Sequence, residues 1–182
     1  MTTLPEKLLA ISASLSEADI PHAFGGAIAL AYCTEEPRAT QDLDINIFAE
    51  HDHSAVALAS LPREVVLTAK NHQELRDIGQ TRGWWDHTPI DLFLKTHPFH
   101  TIASHRVRLV PFADRTIPVL DGTTLAVFKV ISNRTKDWAD LEAMAEAGQL
   151  DAPAVSAIVT ELLGNDDGRL ARLSAIARDS HT

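Results

Sequence analysis

Three aspartates carry the chemistry that this chain can do. In Asp42-Leu43-Asp44-Ile45 two carboxylates alternate with apolar residues. On a strand the side-chain period is two, so Asp42 and Asp44 share one face while Leu43 and Ile45 turn into the core. Two carboxylates on one face repel each other and lose hydration unless a cation lies between them, and a hard divalent ion with oxygen ligands meets that need. Farther on, Pro89-Ile90-Asp91-Leu92-Phe93-Leu94 sets a third aspartate in an apolar run. Such a carboxylate is costly unless it is paired, hydrogen-bonded or bound to metal. The expectation is a metal site on Asp42, Asp44 and Asp91; the competing expectation for Asp91 is a salt bridge to Arg82 or Arg106.

The elements that must position these groups follow from periodicity and turn chemistry. Leu8, Leu9, Ile11, Leu15 and Ala18 recur at helical spacing and predict a helix ending near Asp19. A short strand, 22–24, runs into Gly25-Gly26, and 27–33 reads as a helix. After the turn-like Glu36-Pro37-Arg38-Ala39-Thr40, strand 42–48 holds the aspartate pair. Helix 54–61, strand 64–68 and helix 71–79 with Asn71 as N-cap are expected next, then consecutive strands through Trp84-Trp85 and 90–94. A hairpin is expected from 106–111 and 116–120. From Thr123 the pattern is helical, broken by Gly164-Asn165-Asp166-Asp167-Gly168 before a last helix. The fold class read from this is α/β (α+β): a mixed-sheet core over 1–120, then a small helical segment, 121–182, packed on it.

Composition bounds the partners. The chain has 182 residues, 45% hydrophobic and 23% charged, as in ordinary globular protein. A net charge of -9 argues against a general nucleic-acid coat. Yet no acidic residue falls between Leu92 and Ala113, where Lys95, Arg106 and Arg108 lie, and Arg115, Lys129, Arg134 and Lys136 follow. One basic stretch on an acidic protein suits a polyphosphate or the end of an RNA. Cys33 is the single cysteine, which excludes an intramolecular disulfide framework. The N-terminus reads as lacking a secretory leader, and no apolar run approaches the roughly 20 residues of a membrane helix. A cytoplasmic location without membrane partners is the expectation.

Taken together, Gly25-Gly26-x-Ala-x-x-Leu, then Arg38-x-Thr40-x-Asp42-Leu43-Asp44-Ile45, then Asp91-Leu92-Phe93, resemble the nucleotidyltransferases of the polymerase-β fold. Within them the pattern is most similar to the AbiEii-type toxins, a group that includes the mycobacterial MenT enzymes. Leu125-x-x-x-Lys129 and Arg134-x-Lys136-Asp137-x-x-Asp140-Leu141 extend the likeness, which runs from about Phe24 to Met144. The resemblance implies a polymerase-β-type nucleotidyltransferase core that moves NMP from an NTP to an acceptor. The acceptor it implies is the 3' end of tRNA, and the role that of a toxin with a cognate antitoxin protein. It implies Mg2+, with a two-ion site, or Mn2+, held by Asp42, Asp44 and Asp91. Gly25 and Gly26 would let backbone N–H groups approach the triphosphate beside a helix N-terminus. Lys129 or Lys136 would neutralise phosphates, Asp140 would orient one of these lysines, and Arg38 and Thr40 would flank the nucleotide. The antitoxin that the resemblance implies would either bind the protein or phosphorylate a residue near the site, for which Thr40 is the candidate hydroxyl. The common signature has Gly-Ser where this chain has Gly-Gly, which leaves phosphate contacts to the backbone.

Each of these positions has a plainer reading. Gly25-Gly26 suits a turn, Arg38 and Thr40 a surface loop, and Lys129, beside Phe128 and Val130, a lysine extended along a packed helix. Asp140 stands four residues after Lys136 and suits a helix-surface pair. Adjacent Trp84 and Trp85 face opposite sides of a strand, so at most one can stack on a base. His97, His100 and His105 match no zinc pattern. Two other functions use the same residues: a small-molecule nucleotidyltransferase of the aminoglycoside or lincosamide type, and a non-catalytic nucleotide-sensing module.

Overall fold

Alternation of apolar and polar residues builds a six-stranded mixed sheet in the order β3-β4-β2-β1-β6-β5. The strands are β1 (His22–Phe24), β2 (Leu43–Ile47), β3 (Gln80–Trp85), β4 (Thr88–Leu94), β5 (Arg108–Phe112) and β6 (Arg115–Val119). The computed structural model describes residues 2–37, 39–49 and 53–179. The chain divides into two compact units, the first Met1–Ile28 with Ala39–Leu120, the second Ala29–Arg38 with Asp121–Thr182. The whole sheet belongs to the first unit. In it β2 runs parallel to β4 and antiparallel to β1, while β3–β4 and β5–β6 are antiparallel pairs. No helix among the described residues is long and apolar enough to cross a membrane.

One sheet face is the core face. Leu43, Ile45, Ile47, Ile90 and Leu92 are each 0% exposed. Helix α1 (Leu4–Glu17) supplies Leu8, Ile11 and Leu15 at helical spacing, also fully buried. It starts at Thr3, whose hydroxyl accepts from the Glu6 N–H while the Glu6 carboxylate accepts from the Thr3 N–H. Lys7 is buried nearby. Its ammonium donates to the Trp85 carbonyl at 2.9 Å and the Thr88 hydroxyl at 3.0 Å, and it pairs with Asp86 at 3.2 Å. It thereby ties α1 to the β3–β4 turn.

Two expectations are corrected and one element is added. Residues 64–68 form a turn with an isolated Val66–Trp84 bridge rather than a strand. Helix α4 (Ala69–Ile78) is capped by Thr68, not Asn71. Asn71 sits three residues in, and its Oδ1 accepts from the Thr68 N–H at 2.8 Å, as a capping box requires of that position. Helix α5 (Pro98–Ser104) was not expected at all; it is capped by the His97 ring, which accepts from the Phe99 N–H at 3.2 Å, with Phe99 and Ala103 buried. The short helix α3 (Ser54–Ala59) completes the first unit. Helix α2 (Gly26–Thr34) begins in the first unit and ends in the second.

The second unit holds the end of α2 with α6 (Gly122–Ser132), α7 (Thr135–Glu146), α8 (Ala152–Leu163) and α9 (Gly168–Asp179). Its core is Val127, Val130, Leu141, Met144, Val155, Val159 and Leu173, all 0% exposed. Cys33, 4% exposed, packs there as a small apolar group; a Cβ placed on Gly122 would lie 3.5 Å from its sulfur.

A buried histidine makes the first unit sensitive to acid. His22 is 6% exposed, with Nδ1 2.9 Å from the Ile20 carbonyl and Nε2 3.3 Å from the Ser12 hydroxyl. A carbonyl only accepts, so Nδ1 carries the proton and Nε2 accepts from Ser12. Burial holds the His22 pKa below its ordinary value, against the opposing pull of the Ile20 hydrogen bond. Burial lowers His100 in the same way. The unfolded chain therefore takes up protons first as pH falls through about 6.5, and stability falls with it. Urea unfolding should give constant stability above about pH 7 and a progressive loss below about 6.5. Replacing both His22 and His100 by Gln should flatten that slope.

Candidate functional site

The polar face of the sheet is organised in rows. Parallel pairing sets Asp44 opposite Asp91 and Asn46 opposite Phe93. Antiparallel pairing then sets Arg82 opposite Asp91, Trp84 opposite Pro89 and Gln80 opposite Phe93. Residues paired in register point to the same face. Asp44, Asp91 and Arg82 therefore form one row across three strands, and Asp42 lies two residues before Asp44 on the same side. Alternation places Leu43, Ile90 and Leu92 behind them in the core. The face and the core are one pattern read from its two sides.

The carboxylates are held by specific partners. The Thr40 hydroxyl donates to Asp42 Oδ1 at 2.8 Å. Asp91, 16% exposed at its side chain, takes a two-pronged grip from Arg82: Nε to Oδ1 at 2.7 Å and Nη2 to Oδ2 at 2.6 Å. The same Nη2 lies 3.9 Å from Asp42 Oδ2. Its hydrogen bonds to Asp91 raise the Arg82 pKa, against a lowering by burial, and the charges of Asp91, Asp42 and Asp44 add to the rise. The salt-bridge expectation for Asp91 is thus met through Arg82.

The paired glycines make room for Asp44. The Gly25 N–H donates to the Asp44 carbonyl at 2.9 Å, where β1 ends. Gly26 has φ +49, and a Cβ built there would meet the Asp44 carboxyl group, its Cγ at 2.6 Å. Only glycine serves at this position, both for its left-handed backbone and for the approach of the carboxylate. Asp44 is brought to the start of α2, where the helix dipole favours negative charge. Asn46, 5% exposed, is the polar residue that sequence reasoning missed. A Cβ on Gly25 would lie 3.0 Å from its Nδ2. Its signal was present as the third polar position in Asp42-x-Asp44-x-Asn46.

In donor chemistry the three aspartates suit a hard divalent ion. As the side chains stand, no three His, Cys, Asp or Glu groups among the described residues are gathered as a cation site, and both Asp91 oxygens are taken by Arg82.

The remaining candidates lie in the second unit, apart from Arg38, which is outside the described residues. Lys129 is 7% exposed; its ammonium donates to Asp140 Oδ2 at 2.6 Å and lies 3.9 Å from Asp137 Oδ1. Asp137, 2% exposed, is gripped by Arg134 Nε at 2.7 Å and Nη2 at 3.1 Å. Asp140 therefore serves Lys129, not Lys136, which is exposed on the first turn of α7. Of the tryptophans, Trp85 is 6% exposed and Trp84 46%, with Trp84 on the aspartate face.

No protein-family model matches the chain, and no curated protein matches it as a relative. Solved structures do. The antibiotic-resistance factor ANT(2'')-Ia, whose solution structure reveals substrate-regulated conformation dynamics, superposes with a TM-score of 0.62 at 13% identity, over 99% of this chain and 98% of that one. A Helicobacter pylori protein assigned to the nucleotidyltransferases superposes with a TM-score of 0.51 at 16% identity, over 97% of this chain and 93% of that one. The chain has the nucleotidyltransferase fold.

Gly26→Ala should destabilise the protein by about 1–3 kcal/mol, through left-handed strain and the clash with Asp44. Urea unfolding of the variant against wild type measures this.

Proposed function

We propose that this protein transfers a nucleoside monophosphate from an NTP to a hydroxyl group of an acceptor. The observation that carries this is Asp44 beside Asp91 in register, with the Asp44 carboxylate seated against Gly26 at the head of α2. In the transfer a bond forms from the acceptor oxygen to the α-phosphorus as the bond to pyrophosphate breaks. The hydroxyl proton leaves to a carboxylate of the cluster. Mg2+ or Mn2+ on Asp42, Asp44 and Asp91 would supply positive charge against the negative charge that develops on the attacking and leaving oxygens. Thr40 holds Asp42 in its rotamer, and Gly25 and Gly26 leave the backbone open to the triphosphate. Lys129, its charge answered by Asp140 and Asp137, supports the second unit.

The acceptor we favour is the 3' end of an RNA, tRNA by the residue pattern shared with AbiEii-type toxins. On this reading the protein is a toxin with a protein antitoxin. Its support is exposed Arg106, Arg108 and Arg115 on and before the β5–β6 hairpin, a basic edge on an acidic chain. That edge lies three strands from β2, roughly 14 Å at ordinary strand spacing, a span that a nucleic-acid backbone covers. A small cationic acceptor, as for an aminoglycoside nucleotidyltransferase, is the second reading. It is supported by the net charge of -9 and by half-exposed Trp84 two residues from Arg82 on the aspartate face.

Incubation with each α-labelled NTP and Mg2+ should label total tRNA. Asp42→Asn and Asp44→Asn should each lower the rate by about 10²–10³-fold, the cost of losing one group that stabilises developing charge. Label on an aminoglycoside but not on tRNA selects the second acceptor. No labelled product with either acceptor would sink the transferase reading.

A further inference from the structure

Arg82 is a cation that the fold itself delivers to the acidic face. Its strand pairs with β4 so that it stands opposite Asp91 in the row that also holds Asp44. The two prongs of its guanidinium, at 2.7 and 2.6 Å, take both oxygens of Asp91. This fork-on-carboxylate geometry is the strongest form of ion pair between side chains. One of its nitrogens also lies 3.9 Å from Asp42. The arginine side chain is 51% exposed and Asp91 only 16%, so the arginine is the partner with room to move. Among the described residues no three His, Cys, Asp or Glu groups are gathered as a cation site.

The charges explain what the fork accomplishes. Three aspartates and one arginine leave a formal -2 on the face. Exchanging the guanidinium for a divalent ion would leave -1 among the ligands and release one positive charge beside them. A salt bridge that served only to fasten β3 to β4 would stabilise the protein without any bearing on ion affinity. Resting on the reading that these aspartates hold a divalent ion, we propose that Arg82 competes with that ion. Its guanidinium occupies both Asp91 oxygens and must leave them before the ion binds there.

Mn2+ titration followed by the electron-spin signal of the free ion, without nucleotide and at constant ionic strength, tests this on the full chain. Arg82→Met should bind Mn2+ about tenfold more tightly than wild type. Arg82→Lys, which keeps the charge but loses the fork, should fall between them, and Asp44→Asn should lose binding. In wild type, the nitrogen-15 resonance of the Arg82 Nε–H group should shift on saturation with Mg2+. Equal Mn2+ affinity in wild type and both Arg82 variants, or an unmoved Nε–H signal at saturating Mg2+, would overturn the competition. If wild type and both Arg82 variants all fail to bind Mn2+, the metal reading itself falls and the competition with it.

Discussion

The parallel pairing of β2 with β4 is the constraint on which the rest of this structure turns. It puts Asp44 directly beside Asp91, on strands spaced about 4.8 Å apart. Two unit charges roughly 5 Å apart near a protein surface repel by about 3 kcal/mol, a large fraction of the margin by which a domain is stable. A fold that accepts such a pair must supply compensating charge. Here it comes from the Arg82 fork on one side and the head of α2, opened by Gly26, on the other.

The same pairing sets the core. Leu43, Ile45, Ile90 and Leu92 occupy the alternate positions and are fully buried, each contributing about 1.5–3 kcal/mol relative to exposure. A slip of one residue would exchange the faces, driving the aspartates inward and the aliphatic side chains out. Hydrophobic burial therefore enforces the position of the acidic groups, although those groups destabilise one another. The acidic row is held in place by the core behind it.

Charge in the second unit is arranged differently. Lys129, Asp140, Asp137 and Arg134 close on one another over short distances, with Lys129 and Asp137 almost wholly buried. Burying such groups is tolerable only when each meets an opposite charge with good geometry. The cluster joins the end of α6 to the start of α7, where Asn133, in a left-handed conformation, also accepts from the Trp138 indole at 2.8 Å. Lys129, a candidate phosphate partner in the sequence, is held by Asp140 and Asp137, and Arg134, its side chain largely exposed, grips Asp137 from outside.

Much of the molecule was legible in the chain. Strict alternation in Asp42-Leu43-Asp44-Ile45 determined which side of β2 faces the core, because a strand has no other periodicity. The paired glycines before a helix, the β5–β6 hairpin and the helical second unit were equally readable, since turn chemistry and apolar spacing act locally. Local signals were weaker where two outcomes shared one composition. Residues 64–68 have strand-like residues but find only a single bridge, and α5 is a short helix whose cap is a histidine. The choice between Arg82 and Arg106 for Asp91, and between Lys129 and Lys136 for Asp140, lay beyond the sequence. Each depends on which strand or helix comes to lie beside which, and Coulomb attraction selects the nearest partner in space, not in sequence. The residues that could do chemistry were written in the chain; which charge answers which was decided only when the sheet was assembled.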